Sequence, residues 1–352
     1  LGLSAPIVAM NVFSTWDWTY SEGAHYSASI MAFVFVSGIL GLDYLSRWIA
    51  RQSKAARTWA VNGLAAVVLL VAGTHHYQIG ISPLSASYSP PRITAHHRLG
   101  QAVMRRIPPD AALSTQSGLY PHLAHRQKAY FFPAVNDAEY VLLDVTGPSY
   151  PITAPEVRST ALRLLDSGQF GILDAEDGYL LLQRGIAGPS TLPDAFYDFA
   201  RGDERSIPRP LHARFGDTIE LMGYDYTIHN AVHAQQLPAT ITTYWRPLRP
   251  LKDDLQIALF FSREDGAIVY HYDRLEPIAL WYPPAQWPVG SVIRVDTPTL
   301  SVGRLKDTMV AVLPDGGDVW APAARLKPTS TASGPPLKTY DQDTLLKLFA
   351  FP

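Results

Sequence analysis

Hydrophobic and polar positions fall into three zones along the chain. In the first, Gly23–Leu42 (GAHYSASIMAFVFVSGILGL) carries no charge when histidine is neutral. At a 1.5 Å rise per residue this run covers roughly 30 Å, the thickness of a bilayer's hydrocarbon core. A second apolar stretch runs from Trp59 to Gly73, interrupted by Asn62 and continued by Thr74, His75, His76 and Tyr77. The pattern predicts transmembrane helices at about 24–45 and 58–77. A buried helix of a large soluble protein is the competing reading of the second. Residues 1–14 are apolar but too few to span, and fit either the stump of a helix or an interfacial segment; Trp16, Trp18 and Tyr20 follow as an aromatic belt would.

Between the two spans, residues 46–57 hold Arg47, Arg51, Lys54 and Arg57 and no acid. No Lys or Arg occurs in residues 1–46, nor from Thr58 to Pro91. Because short basic loops stay inside, this asymmetry places 46–57 in the cytoplasm. Residues after about 82 are then extracytoplasmic.

The second zone, 84–188, alternates helical and strand periods. Thr94–Ile107 reads as an amphipathic helix stopped by Pro108-Pro109, and Tyr140–Val145 as a buried strand. Pro155–Ser167 reads as a helix with Pro and Glu in its first turn. A hairpin is expected around Glu176-Asp177-Gly178. This is a small α/β domain. Residues 189–207 read as a linker. In the third zone, 208–325, the helical period disappears and short strands alternate with turns, which predicts an antiparallel β-sandwich. Residues 326–352 read as a Pro/Ser/Thr-rich tail, ending in a short helix at Asp343–Phe349. The fold class expected is thus a multidomain membrane protein: two transmembrane helices, a small α/β domain and a C-terminal β-sandwich.

Composition narrows the chemistry. A formal net charge of −2 gives no nucleic-acid surface, and the absence of cysteine excludes disulfides, thiolate metal sites and cysteine nucleophiles. The chain opens on Leu1 rather than Met and is read as a piece of something longer. No GxSxG, Walker A, Rossmann glycine pattern or HExxH motif occurs.

Residues 1–185 resemble the DUF2079 family of predicted bacterial membrane proteins. The resemblance lies in the order of PIVAMNVFS, HYSASIMAFVFVSGILGL, IPPDAALSTQSGLYPHLAHRQKAYFFP and EYVLLD. A second stretch, YWRPLRPLKDDLQIALFFSREDGAIVYHYD with WPVGSVIRVD, is similar to β-sandwich modules appended to membrane glycosyltransferases. Members of the first family resemble glycosyltransferases of the GT-C type, which take sugars from polyprenyl phosphates outside the cytoplasm. The resemblance therefore implies a lipid bilayer, a polyprenyl-phosphate sugar and envelope glycan as partners. The acidic catalytic residue of such enzymes sits in the first outer loop, and nothing here corresponds to it. Two functions follow as expectations: the C-terminal portion of such a glycosyltransferase, or a non-catalytic membrane-anchored module that binds envelope glycan or protein. No cofactor and no catalytic residue is assigned.

Several side chains suit such substrates. Gln116, Tyr120, His122, His125 and Arg126 cluster in sequence, and His with Arg could hold a lipid-linked phosphate; the bland alternative is a capped turn and an Arg paired with an acid. His25 and Tyr26 sit at the outer mouth of the first helix, where a phosphate or simple interface anchoring would use them. Asp17 and Glu22 are outer carboxylates with only their location in favour of a base role. Trp245, Trp281 and Trp287 could stack on sugar rings, although strand alternation puts most such aromatics in a core. His75-His76 and His96-His97 make poor metal clamps, because neighbours point apart on either a helix or a strand.

Overall fold

The computed structural model describes residues 4–15, 28–49, 54–80, 82–86, 88, 90, 93–188, 191–229, 237–251, 255–272, 277–331 and 336–351. The chain forms two compact units, one within residues 1–92 and the other from Ile93 onward.

The first unit is helical: α1 (Ala5–Val12), α2 (Ala28–Ile49) and α3 (Lys54–Ile79). Stretches Ile30–Trp48 and Thr58–Gln78 are long and apolar enough to cross a membrane, and almost none of either is buried. Phe35, Ile39 and Leu40 on α2 and the run Val67–Val71 on α3 all lie exposed. Water would penalise so continuous an apolar surface, whereas lipid would not. Tyr44 and Trp48 near the end of α2 and Trp59 near the start of α3 are exposed too, beside the basic residues that join the helices. Amphipathic aromatics and cations at that level suit a membrane–water boundary. The helices run further into residues 46–57 than the expected loop: Arg47 lies in α2, ion-paired with Asp43 one turn earlier, and Lys54 opens α3.

The second unit begins with α4 (Ala95–Met104), β1 (Leu113–Thr115), β2 (Ala129–Phe131), β3 (Tyr140–Asp144), α5 (Ala154–Asp166), β4 (Phe170–Glu176) and β5 (Tyr179–Arg184). One sheet runs in the order β2-β1-β3-β5-β4, with β2, β1 and β3 parallel and β5 and β4 antiparallel to their neighbours. Alternation along the strands feeds two cores. Val141, Leu143, Leu180 and Leu182 face Val157, Ala161 and Leu165 of α5; Tyr140, Leu142, Tyr179 and Leu181 face Val103 at the end of α4 and Ile107 beyond it. Period-2 burial on both faces is what a sheet covered by helices on each side demands. The β4–β5 turn is Asp177-Gly178, both at positive φ, which suits the twist of a two-residue hairpin. Thr153 caps α5 by accepting from Glu156 N, while Glu156 accepts from Thr153 N at 2.8 Å.

Residues 194–200, expected as linker, instead form a 3-10 turn whose Phe196 is fully buried in the α5-side core. The remaining strands are β6 (Arg209–Phe215), β7 (Ile219–Ile228), β8 (Pro238–Pro247), β9 (Leu255–Ser262), β10 (Ile268–Tyr272), β11 (Ile293–Asp296), β12 (Leu300–Ser301), β13 (Asp307–Pro314), β14 (Pro328–Ser330), β15 (Thr339–Tyr340) and β16 (Leu345–Ala350), with a one-turn helix α6 (Ile278–Trp281) after β10. They make two antiparallel sheets, β10-β9-β13-β16-β15 and β11-β8-β7-β6-β14, with β12 pairing beside β8. Phe215, Leu221 and Trp245 of one sheet share a core with Leu259, Val310 and Leu346 of the other. Residues 326–352 are therefore no tail. They supply β14 to one sheet and β15 and β16 to the other, and the expected helix at Asp343–Phe349 is strand β16.

Candidate functional site

The carboxyl edge of the parallel strands β1 and β3 is the place where open α/β sheets most often present ligand-binding groups. Here β1 runs into Gln116 and β3 ends on Asp144. Gln116 is buried and clamps the edge: its Oε1 accepts from Asp144 N at 2.6 Å, and its Nε2 reaches Pro148 O at 3.5 Å. Because β5 is antiparallel to β3, the β4–β5 turn brings Asp177 to the same edge.

His96, in the first turn of α4, lies between the two carboxylates. Its Nδ1 is 2.7 Å from Asp177 Oδ2, and its Nε2 is 3.2 Å from Asp144 Oδ2. The ring stacks on Tyr179, with centroids 4.4 Å apart. Burial pulls the imidazole pKa down, but the hydrogen bonds and charges of Asp144 and Asp177 outweigh it and raise the value to about 9. His96 is thus a cation at neutral pH, with both nitrogens donating. Thr146 Oγ1 lies 3.1 Å from Nε2, an arrangement that suggests a nucleophile beside its base. The chemistry is otherwise. An imidazolium has no lone pair to take the hydroxyl proton, and Thr146 instead donates to Asp144 Oδ1 at 2.6 Å. Tyr179 is kept neutral, its hydroxyl pushed up by burial first and by the nearby Asp144 and Asp177 charges second. The α4 helix passes so close at Gly100 that the Tyr179 hydroxyl occupies the space a Cβ would need.

Thr146 also lines a cleft of about 600 Å³, shared by the loop after β3 and by β11 with the residues that follow it. On the far wall Arg294 grips Asp296 in a two-bond fork, Nε to Oδ1 at 3.1 Å and Nη2 to Oδ2 at 2.9 Å. Thr242 donates to the same Asp296 Oδ1 at 2.6 Å. Burial works against the charge on Arg294, yet Asp296, and more weakly Tyr244 and Asp177, hold its proton more firmly than usual. The charged groups that line the cleft, Arg294 and Asp296, are thus paired with each other, and Thr146, Thr240, Thr297 and Thr299 supply hydroxyls beside them. A lining without an unpaired cation offers little to a phosphate.

The family model described as "Predicted membrane protein (DUF2079)" matches residues 1–181, just over half of the 352. The chain belongs to this family. The matched part of this DUF2079 protein holds both apolar helices and all of His96, Asp144, Asp177 and Tyr179, while Arg294 and Asp296 lie beyond it. No curated protein and no solved structure matches the chain.

The structure separates the residues that the DUF2079 sequence places side by side. Arg126 points to the opposite end of β1 from Gln116, donating to the carbonyls of Pro108, Pro109 and Ala111. The five steps of chain from Ala111 to Gln116 span roughly 16 Å when extended, so the two side chains cannot share one phosphate. Burial lowers the pKa of Arg126, with nearby Asp110 opposing the shift. His122 and His125 are exposed. All three candidate tryptophans are buried. Trp245 donates to Thr243 Oγ1 at 2.8 Å and Trp287 to Tyr282 O at 2.7 Å, while Trp281 packs edge-on to Phe196. Their faces belong to the core: alternation along β8 turns Trp245 inward, and Trp281 and Trp287 are buried from the short helical turns after β10. His25, Tyr26, Asp17 and Glu22 lie outside the described residues. His76 bonds Ser82 Oγ at 2.7 Å, and His97 caps α4 by accepting from Thr94 N. Among the described residues no group of three or more His, Asp or Glu is placed to hold a metal. The His96 cluster went unread in the sequence. Its one legible signal is an Asp at the carboxyl end of the buried strand YVLLD.

Proposed function

We propose that this DUF2079 protein is the outward-facing portion of a polytopic membrane glycosyltransferase that uses a polyprenyl-phosphate sugar, with β6 to β16 forming a sandwich that helps hold the acceptor. The observation that carries this reading is the cleft between the loop after β3 and β11, whose paired charges and threonine hydroxyls suit an uncharged polyol as acceptor. The two apolar helices and the basic residues between them support anchoring with residues after about 82 outside the cytoplasm. Glycosyl transfer itself is assigned to residues elsewhere in the protein, since Asp144 and Asp177 are bonded to His96 and Asp296 to Arg294 and Thr242. That internal pairing favours a second reading, a non-catalytic anchored module that binds envelope glycan.

Transfer separates the two. Membranes containing the whole protein are expected to move labelled sugar from polyprenyl phosphate to an envelope acceptor. Arg294→Ala should cut transfer about tenfold at low acceptor concentration, through loss of a charge-assisted pair. Glycan binding without transfer would leave the second reading standing, and neither activity would end both.

Orientation has its own test, aided by the absence of native cysteine. An impermeant maleimide should label Ser159→Cys, at an exposed position of α5, in cells whose inner membrane is intact. Ser53→Cys should react only after that membrane is opened. The reverse pattern would overturn the topology.

A further inference from the structure

A second cleft, of about 550 Å³, lies on the same unit and shares no lining residue with the first. Its construction follows from chain register. Phe196 and Trp281 meet edge to face inside the α5-side core, 5.6 Å apart. The next residue along each segment is a tyrosine, and the inward pair brings these two together outside it. Tyr197 and Tyr282 stack with centroids 4.6 Å apart and planes inclined by 27°. Both are half-buried and both line the cleft, together with Asp194 and Gln286. Arg201 at the rim is already paired, its Nε 2.8 Å from Asp198.

What sets this cleft apart is its uncommitted polar groups. The Arg294–Asp296 pair of the first cleft is bonded within the protein. Here the two phenol hydroxyls, the Asp194 carboxylate and the Gln286 amide make no hydrogen bond to any described residue. Donors and acceptors clustered beside an aromatic platform match one ligand class well. A pyranose offers an apolar C–H face to the rings and hydroxyls to the carboxylate and amide. A phosphorylated sugar would meet Asp194 with Arg201 already neutralised. A proline-rich peptide needs a slot between aromatic rings, and these rings lie in contact.

We propose that the Tyr197–Tyr282 cleft is a binding subsite for a neutral saccharide, with the tyrosine pair as stacking platform and Asp194 and Gln286 as hydroxyl partners. The proposal rests on the reading of this unit as glycan-facing and adds a second contact point for a glycan chain.

The test uses the full chain in lipid nanodiscs, titrated with neutral tetrasaccharides of hexose and of N-acetylhexosamine and followed by saturation-transfer NMR and calorimetry. At least one should bind. Tyr282→Ala should weaken it about tenfold or more, and Asp194→Asn and Gln286→Ala about three- to tenfold. The last two sit at exposed positions and should leave the melting temperature unchanged, so lost affinity there cannot be lost folding. Tyr282→Phe, which keeps the ring, should retain most of the binding. No bound saccharide, or binding indifferent to Asp194→Asn and Gln286→Ala, overturns the subsite. A proline-rich peptide competing for these same residues would overturn the ligand class. Binding abolished by Arg294→Ala but untouched by these variants would sink this subsite while sparing the glycan-facing reading.

Discussion

Replacing Arg325 with alanine is expected to destabilise the antiparallel sheets by about 2–3 kcal/mol, the usual cost of removing charge-assisted hydrogen bonds and leaving a buried acceptor unpaired. The Arg325 side chain is only 1% exposed. Its Nε and Nη2 donate to Val319 O at 2.8 and 2.6 Å, and Nη1 donates to Asp341 Oδ2 at 2.6 Å and Thr344 Oγ1 at 3.2 Å. The guanidinium also lies over Phe260, 4.7 Å from the ring centre. Removing it strands the Val319 carbonyl, empties the space over Phe260 and leaves the partly exposed Asp341 carboxylate without its cation. It also releases a turn in which Asp341, Gln342 and Asp343 all hold positive φ, a conformation that side chains other than glycine's adopt only when held. Lysine should not rescue, because a single ammonium cannot bond Val319 and Asp341 in the same planar fork. Denaturant unfolding of the full chain checks both variants. Asp137→Ala breaks an ion pair with Lys128 that is more than half exposed, and should leave the unfolding midpoint almost where it is. If Arg325→Ala proves equally mild, the network is not holding the turn.

The second expectation concerns pH. The folded-state pKa of His96 is raised above its usual 6.5, to about 9. Its contribution is therefore fully present below about pH 6.5, and it is lost as pH rises through about 9. A shift of that size corresponds to roughly 3 kcal/mol of stability across the window. His96→Gln should lower the melting temperature at pH 6 and flatten its decline between pH 6.5 and 9.5, since the titrating group is gone and Asp144 faces Asp177 without a cation. Thermal melts of both proteins at several pH values decide it. Parallel declines in the two would show that His96 is not the group responsible. The position itself makes the point sharper, because the first turn of a helix disfavours a cation. The two aspartates more than offset that penalty.

How far the sequence could be read depended on which interactions were local. The apolar runs of α2 and α3, and the double-sided alternation of YVLLD and YLLLQ, carry their own periods and were legible. So was the Asp177-Gly178 turn. The helix expected at Asp343–Phe349 shows the limit. Leu345, Leu346, Leu348 and Phe349 repeat at helical spacing, yet they lie in β16. The pairing of β16 with β13 shifts register between Thr308 and Met309, and the extra residue of this bulge gives a strand the rhythm of a helix. The His96 cluster was hidden for another reason. Its members are 48 and 81 residues apart, and only the pairing of β3 with β5 brings them together. His97 was a decoy beside it: a capping box usually closes with Glu or Gln, and here an imidazole does that work.

The place of β16 in its sheet bears on how the protein is made. It is an interior strand, flanked by β13 on one side and β15 on the other. Until residues 345–350 have left the ribosome, β13 has a bare edge and the core between the sheets lacks Leu346, Leu348 and Phe349. More than a hundred residues, from β6 onward, must therefore wait for the last of them before the sheets can close. The half-made sheets meanwhile expose the apolar residues that β16 will cover, so a chaperone that shields them would be needed until residue 350 is in place.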